Sequence, residues 1–385
     1  MTMLRVTGAS TGAPIDYTSQ FGRGERRRVL MTVDAVGGVW RYAMELARGL
    51  VAHNVELVFA GLGPEPSADQ TTEAERLGKV VWLDEPLDWI APNPAALKNL
   101  PKRLCRLAAD EGAELLHLNL PSQAAEIEAG VPVLVTSHSC VVTWWNAMRS
   151  GPLPESWEWM KRQNADGMKR ADAVVAPSGS HAQALASCYG EQPRINVVNN
   201  SLSAFLQGLE KEPFIFAAGR WWDEGKNARV LDEAAAEASW PVLMAGATEG
   251  PNGQSINLAH ARHLGQVPHT QILDHARRAD IVVSPSIYEP FGLAALEGAR
   301  AGAALVLSDI PTYRELWSEV AFFFDPNDPQ ALAEVVNRLA EDAELRTEMG
   351  ARALARSRRF TPDVQAGRMA ALYRQLVETA DAGAA

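Results

Sequence analysis

The sequence predicts an α/β protein of two successive blocks, each a mainly parallel sheet covered by helices on both faces. Three observations predict it. Short apolar runs alternate with helix-period segments along most of the chain. The alternation is interrupted near the middle by a polar, turn-forming stretch. At 385 residues the chain also exceeds the roughly 250–300 at which a single core stops growing, so two cores are expected.

In the first block, strand signals fall at Val29–Val33, Val55–Ala60, Lys79–Leu83, Leu115–Leu118, Val131–Thr136, Ala173–Ala176 and Ile195–Val198. Helix-period segments such as Val39–Val51 and Leu97–Ala109 lie between them. The interruption is Asn199–Pro213, where two asparagines precede Gln207-Gly208-Leu209-Glu210-Lys211-Glu212-Pro213. The second block has strand signals at Phe214–Ala218, Val242–Ala245, Ile281–Ser284, Ala304–Leu307 and Ala321–Phe324. Its helix signals include Ala228–Ala238, Thr270–Arg278 and Gln330–Leu339. A final segment, Pro362–Ala380, sets Met369, Leu372, Tyr373 and Leu376 on one helical face.

The chemistry concentrates in Tyr288-Glu289-Pro290-Phe291-Gly292-Leu293-Ala294-Ala295-Leu296-Glu297, which follows a strand signal and opens a helix-forming segment. Pro290 suits the first turn of a helix, where its missing N–H costs nothing. Phe291, Gly292 and Leu293 would then present unpaired amides at the positive end of the helix dipole, and Gly292 would let an anion approach. Glu289 stands at the mouth of this anion site and Glu297 about two turns into the helix. Ionised carboxylates accept hydrogen bonds from hydroxyls, so carboxylates on either side of a phosphate suggest a nucleotide sugar: sugar, diphosphate, ribose.

This E-x7-E run resembles the signature of retaining glycosyltransferases with the GT-B fold, in particular glycosyltransferase family 4. Phe214–Arg220 followed by Glu224-Gly225-Lys226-Asn227 resembles the family's strand-G-R and G-K-N elements. Ser308-Asp309-Ile310-Pro311, Gly37-Gly38 and His138 after Val133–Thr136 match further positions in the expected order. The resemblance implies two Rossmann-like domains facing a central cleft. Residues 1–203 would form the acceptor-side domain and 204–361 the nucleotide-sugar-binding domain, with the helix of 362–385 packing back on the first. Asn200, where many relatives have glycine, and Gly298-Ala299-Arg300-Ala301-Gly302 depart from the common pattern without removing a group of assigned role.

Arg220 and Lys226 follow the first strand of the second block, where two cations would steady the charge that grows on a departing diphosphate. The plain alternative is an ion pair with Asp223 or Glu224. Gly37-Gly38 reads equally as a tight turn or as backbone open to a phosphate or sugar. A histidine at a strand end is often structural, but the resemblance places His138 over the transferred sugar. Trp144 and Trp145, with Trp157 and Trp159 soon after, read either as a sugar-stacking acceptor platform or as packing beneath a long loop. Glu289 would contact the donor sugar and Glu297 the ribose hydroxyls.

The activity so implied is retaining transfer of a hexosyl group from a nucleoside diphosphate sugar to a hydroxyl acceptor: a saccharide, a glycolipid or a small metabolite. No cofactor and no metal are expected, because two cations and a helix end already face the phosphates. Two turns of helix would hold the glutamates roughly 11–12 Å apart, too far for the roughly 5–5.5 Å of a retaining glycosidase. Other readings are a nucleotide-sugar-binding protein without turnover, and an epimerase or hydrolase on the same fold.

Composition excludes other classes. A formal net charge of −11 argues against general nucleic-acid binding, which draws on clustered positive charge. Cys105, Cys140 and Cys188 form no CxxC pair and read as free thiols of a cytoplasmic protein. His260 and His263 have no accompanying carboxylate motif for a metal. Gly219 to Lys226 is one residue too long for a phosphate loop and has Asn227 in place of Ser or Thr. Gly22-Arg23-Gly24 precedes a strand instead of following one, unlike a dinucleotide fingerprint. No apolar run approaches the roughly 20 residues of a membrane span, so membrane contact through Arg23 and Arg26-Arg27-Arg28 would be peripheral at most. Residues 1–24 lack an apolar signal run and are expected to be poorly ordered. Nucleobase, sugar, acceptor and oligomeric state are not legible.

Overall fold

The computed structural model describes residues 26–190, 195–204, 206, 208–251 and 253–384. The expectation for residues 1–24, with Gly22, Arg23 and Gly24, lies outside the described residues, as do Phe205 and Gln207 of the polar stretch.

Seven strands form the first sheet: β1 (Arg27–Asp34), β2 (Val55–Leu62), β3 (Gly78–Trp82), β4 (Leu115–Leu118), β5 (Val133–Thr136), β6 (Ala173–Ala176) and β7 (Ile195–Val197). Six form the second: β8 (Glu212–Ala218), β9 (Val242–Ala245), β10 (Arg262–Gly265), β11 (Ala279–Ser284), β12 (Ala304–Ser308) and β13 (Phe322–Phe324). Their orders are β3-β2-β1-β4-β5-β6-β7 and β10-β9-β8-β11-β12-β13. Every pairing between these strands is parallel.

Parallel strands buried on both faces send alternate side chains to opposite cores. In β1, Val29, Met31 and Val33 enter one cluster while Leu30 enters the other. In β8, Phe214 and Phe216 face one way, and Ile215 and Ala217 the other.

β10 was not expected, because Arg-His-Leu-Gly carries no apolar run. It is an edge strand that, among the described residues, pairs with β9 alone, so backbone pairing defines it more than burial does.

The chain returns to the first sheet at its end. Helix Pro362–Ala384 buries Ala366, Met369, Ala370, Tyr373 and Val377 in the same core as Trp40, Ala43, Met44 and Ala47 of helix Gly38–Leu50. Its Tyr373 hydroxyl meets His117 Nδ1 at 2.7 Å, and His117 Nε2 meets Thr136 Oγ1 at 2.7 Å. Burial lowers the His117 pKa to about 3, so the ring is neutral and exchanges single hydrogen bonds with both hydroxyls. No described helix is long and apolar enough to cross a membrane.

Candidate active site at the interdomain cleft

In open parallel sheets ligands gather beyond the carboxyl ends of the strands, where the strand order reverses. Here the order reverses between β1 and β4 and between β8 and β11. Gly37 follows β1, Asn119 follows β4 and His138 follows β5, while Arg220 and Lys226 follow β8 and Glu289 follows β11. Both reversal points therefore carry candidate residues.

The two walls touch. A Cβ added at Gly37 would lie 2.7 Å from Arg220 Nη1, so the absence of a side chain at Gly37 is what admits the guanidinium. Thr143 Oγ1 and Tyr288 OH are 2.7 Å apart, and Ser178 Oγ donates to the Pro290 carbonyl at 2.7 Å. Arg149 pairs with Glu224.

Lys226 lies in the turn Glu224–Lys226, and Asn227 after it adopts a left-handed φ of 57°. That turn aims the ammonium at Glu289, with Nζ to Oε2 at 2.6 Å. The pairing alternative for Lys226 thus involves Glu289, and not Asp223 or Glu224. Arg220 does pair with Asp223, at 3.4 Å, and lies over the Trp222 ring with its guanidinium carbon 5.4 Å from the centroid.

The Glu289–Glu297 segment differs from the sequence expectation in one respect. The helix begins at Leu293, with Gly292 as its N-cap at φ 95°, so Pro290 precedes the helix and Glu297 sits about one turn in. The reason is local: a left-handed residue cannot continue an α-helix, and glycine takes that conformation without a Cβ penalty. The helical spacing used to separate the two glutamates therefore does not apply to Glu289. What separates them here is their partners: Glu289 faces Lys226, while Glu297 Oε1 meets His269 Nε2 at 2.8 Å.

Phe291 buries its ring against Phe360, so only its backbone can face a ligand. Among the described residues, no acceptor is found for the amides of Phe291, Gly292 or Leu293. Unpaired amides at a helix start favour an anion.

On the opposite wall the hydrogen bonds define the state of His138. The Asn119 Nδ2 amide donates to the Thr32 carbonyl at 2.5 Å, so its Oδ1 must be the acceptor toward His138 Nε2 at 2.9 Å. His138 Nε2 therefore carries the proton, and Nδ1, for which no donor is found among the described residues, is left as an acceptor. Burial, reinforced by His117 and His181, lowers the His138 pKa to about 3 and keeps this neutral tautomer. The Tyr42 ring packs on His138 with centroids 4.2 Å apart, fixing its plane. Nearby, Asp34 Oδ1 accepts from the Val36 amide at 3.0 Å. Burial raises the Asp34 pKa against the opposing charge of Arg220.

Trp144 and Trp145 lie on helix Val141–Met148. Trp144 Nε1 donates to Asp223 Oδ1 of the other domain at 3.1 Å, and Arg149 stacks on its ring. Trp145 Nε1 donates to the Gly151 carbonyl at 3.3 Å, and its ring meets Trp157 edge-on. Both indole N–H groups are thus engaged within the protein.

Sequence reasoning missed Asp34, Asn119, Tyr42 and His269. Asp34 and Asn119 stand at the carboxyl ends of β1 and β4, a signal available once the strands are placed. Tyr42 and His269 gave none, since each acquires its place by packing against a distant residue.

Two family models match the chain in succession: Glycosyltransferase Family 4 over residues 36–203 and Glycosyl transferases group 1 over residues 203–356. An α-maltose-1-phosphate synthase from Mycolicibacterium smegmatis is 26% identical over 303 residues, covering 66% of this chain and 77% of its own. A D-inositol 3-phosphate glycosyltransferase from Xylanimonas cellulosilytica is 26% identical over 389 residues, covering 88% and 92%. Among solved structures, sucrose-phosphate synthase from Thermosynechococcus elongatus superposes with a TM-score of 0.77 at 18% identity, covering 92% of this chain and 100% of that one. Anabaena HepE in complex with UDP-glucose gives 0.71 at 18%, covering 91% and 100%.

Proposed function

This chain belongs to glycosyltransferase family 4 and has the GT-B fold, and from that premise we propose how it uses its cleft. The enzyme transfers a hexosyl group from a nucleoside diphosphate sugar to a hydroxyl acceptor, with retention at the anomeric carbon. The observation that carries this reading is the Lys226–Glu289 pair beside the unpaired Phe291–Leu293 amides, opposite the neutral His138. It joins groups for a diphosphate to groups for sugar hydroxyls. The solved complexes of HepE with UDP and UDP-glucose support a donor of this class.

In the proposed reaction Arg220, Lys226 and the three amides hold the diphosphate and stabilise its departure. On binding, Lys226 turns part of its charge from Glu289 to the phosphate, which frees Glu289 to accept from the remote sugar hydroxyls. Glu297, oriented by His269, accepts from the ribose. His138 Nδ1 accepts from a sugar hydroxyl near the anomeric centre and shapes it without ionising. The departing phosphate takes the acceptor proton on the same face, so configuration is retained, and no metal is required.

The test is incubation with UDP-, GDP- and ADP-glucose, with and without saccharide and polyol acceptors, while following nucleoside diphosphate release and product anomeric configuration. Acceptor-dependent release with an α-product from an α-donor is expected. Binding without release would identify a non-catalytic nucleotide-sugar binder. Release or epimerisation independent of acceptor would replace transfer by hydrolysis or isomerisation.

A further inference from the structure

A second site lies away from the cleft, where the chain passes between domains. A cavity of about 400 Å³ opens among Asn199, at the start of the first passage, and residues Phe360–Arg368, at the second. Glu315, Arg356, Arg359, Gln365 and Arg368 supply its polar lining.

The charges in this lining are unevenly spent. Glu315 is turned to the start of helix Gly179–Tyr189, accepting from the Gly179 amide at 2.8 Å and the Ser180 amide at 2.6 Å. Arg356 donates to the Leu316 and Ser318 carbonyls at 2.9 and 3.3 Å. No carboxylate among the described residues pairs with Arg359 or Arg368. Three arginines, Arg356, Arg359 and Arg368, face one carboxylate, Glu315, so the lining is formally positive; burial, then the Arg359 charge, lowers the Arg356 pKa against the opposing charge of Glu319. Gln365 gives the independent sign of a missing ligand. It lines the cavity yet is 1% exposed, its Oε1 accepts from Ser201 Oγ at 2.6 Å, and its Nε2 is buried with no partner among the described residues. A buried amide N–H₂ left without an acceptor is destabilising, because it has given up water and gained no partner in return.

We propose that this cavity binds a phosphorylated small metabolite, its phosphate held by Arg359, Arg368 and, once its buried side chain turns toward the cavity, the Gln365 amide. A phosphate has enough oxygens to meet two separate guanidinium groups and an amide, whereas a carboxylate offers two. The cavity volume is within the roughly 300–1,000 Å³ of small-molecule sites, which leaves room for a body attached to the phosphate. Because the wall draws on both interdomain passages, an occupant holds them together and resists their relative movement. The ligand is distinct from the sugar donor, and the site does not depend on the reading of the cleft.

The test is calorimetric titration with inorganic phosphate, with a hexose 6-phosphate and with the unphosphorylated hexose. It is run on the parent, on Arg359→Gln with Arg368→Gln, and on Arg220→Gln with Lys226→Gln. The hexose 6-phosphate should bind tightest and the bare hexose not at all. The hinge variant should lose about tenfold or more in affinity, the scale of one charge-assisted hydrogen bond, while the cleft variant keeps it. Loss in the cleft variant alone, or unchanged affinity in the hinge variant, overturns the site. Equal binding of inorganic phosphate and hexose phosphate overturns the assignment of a phosphorylated metabolite. Arg359 is exposed and Arg368 partly so, so the hinge variant should fold, and its circular dichroism and melting temperature check this.

Discussion

Replacing Lys226 by alanine tests the cleft most directly, because its ammonium pairs with Glu289 at rest and, in the proposed reaction, with the diphosphate. At rest it lies 2.6 Å from Glu289, with the two side chains 19% and 15% exposed. At an effective dielectric of about 20 that contact is worth roughly 6 kcal/mol of attraction before desolvation. Removing one partner of a buried pair costs about 3–5 kcal/mol, and partial exposure moves this one toward the lower end. In the proposed reaction the same charge faces the departing diphosphate, where losing a stabilising donor costs about 2.7–4 kcal/mol, or about 10²–10³ in kcat. Lys226→Ala should therefore lose both stability and turnover. Glu289→Gln added to Lys226→Ala should recover much of the stability, since no buried charge is then left alone, but none of the turnover. The assays are urea unfolding and nucleoside diphosphate release at saturating donor and acceptor. Near-parental kcat in folded Lys226→Ala would refute the reasoning, and so would recovery of kcat in the double variant.

Gly292→Ala should lower the melting temperature and raise donor KM together, because φ is 95° and the new Cβ would meet Tyr313 Cε1 at 2.7 Å; strain of this kind costs about 1–3 kcal/mol. His138→Ala should lower kcat by on the order of 10²-fold. Because the His138 pKa is near 3, the parent pH–rate profile should show no break near pH 6.5 that the variant abolishes. Acidification should weaken the fold: His117, His138 and His181 have pKa values lowered to about 3, 3 and 4. The unfolded chain then binds the extra protons, so stability is full above about pH 6.5 and declines toward pH 4, by at most about 1.4 kcal/mol per pH unit for each histidine. Asp34 and Asp88, whose pKa values burial raises, oppose this trend. The urea midpoint should still be lower at pH 5 than at pH 7.5, and the drop smaller in His117→Asn; equal midpoints in the parent would contradict the assignment.

The parts of the fold legible in sequence are those where local pattern and burial agree. β8 and β11 carry apolar runs because both of their faces are covered, and the run is the imprint of that covering. β10 left no imprint because its side chains at Arg262 and His263 face solvent. In the cleft, Arg220, Lys226 and Glu289 were legible because each follows a strand end at a recognisable spacing. The start of the helix at Leu293 was not, since proline and glycine both mark helix starts and only the φ of Gly292 decides between them. The His269–Glu297 contact joins residues 28 apart, and His117–Tyr373 residues 256 apart, so no local pattern records either. The indoles of Trp144 and Trp145 illustrate the same limit: composition shows their density, but only tertiary structure shows that their N–H groups are already engaged.

The return of helix Pro362–Ala384 to the core of helix Gly38–Leu50 also reverses the order in which the chain can fold on the ribosome. The first sheet is synthesised first, yet the core of Trp40, Met44 and Ala47 stays incomplete until Met369 and Tyr373 emerge. At roughly 5–20 residues per second that wait is on the order of tens of seconds. His117 spends it without the hydroxyl that later meets its Nδ1. The strands from Glu212 to Phe324 and the helix ending at Ser357 are complete before then. The nascent chain therefore finishes its beginning last, and a ribosome stalled before residue 362 would hold a finished second half beside an open first one.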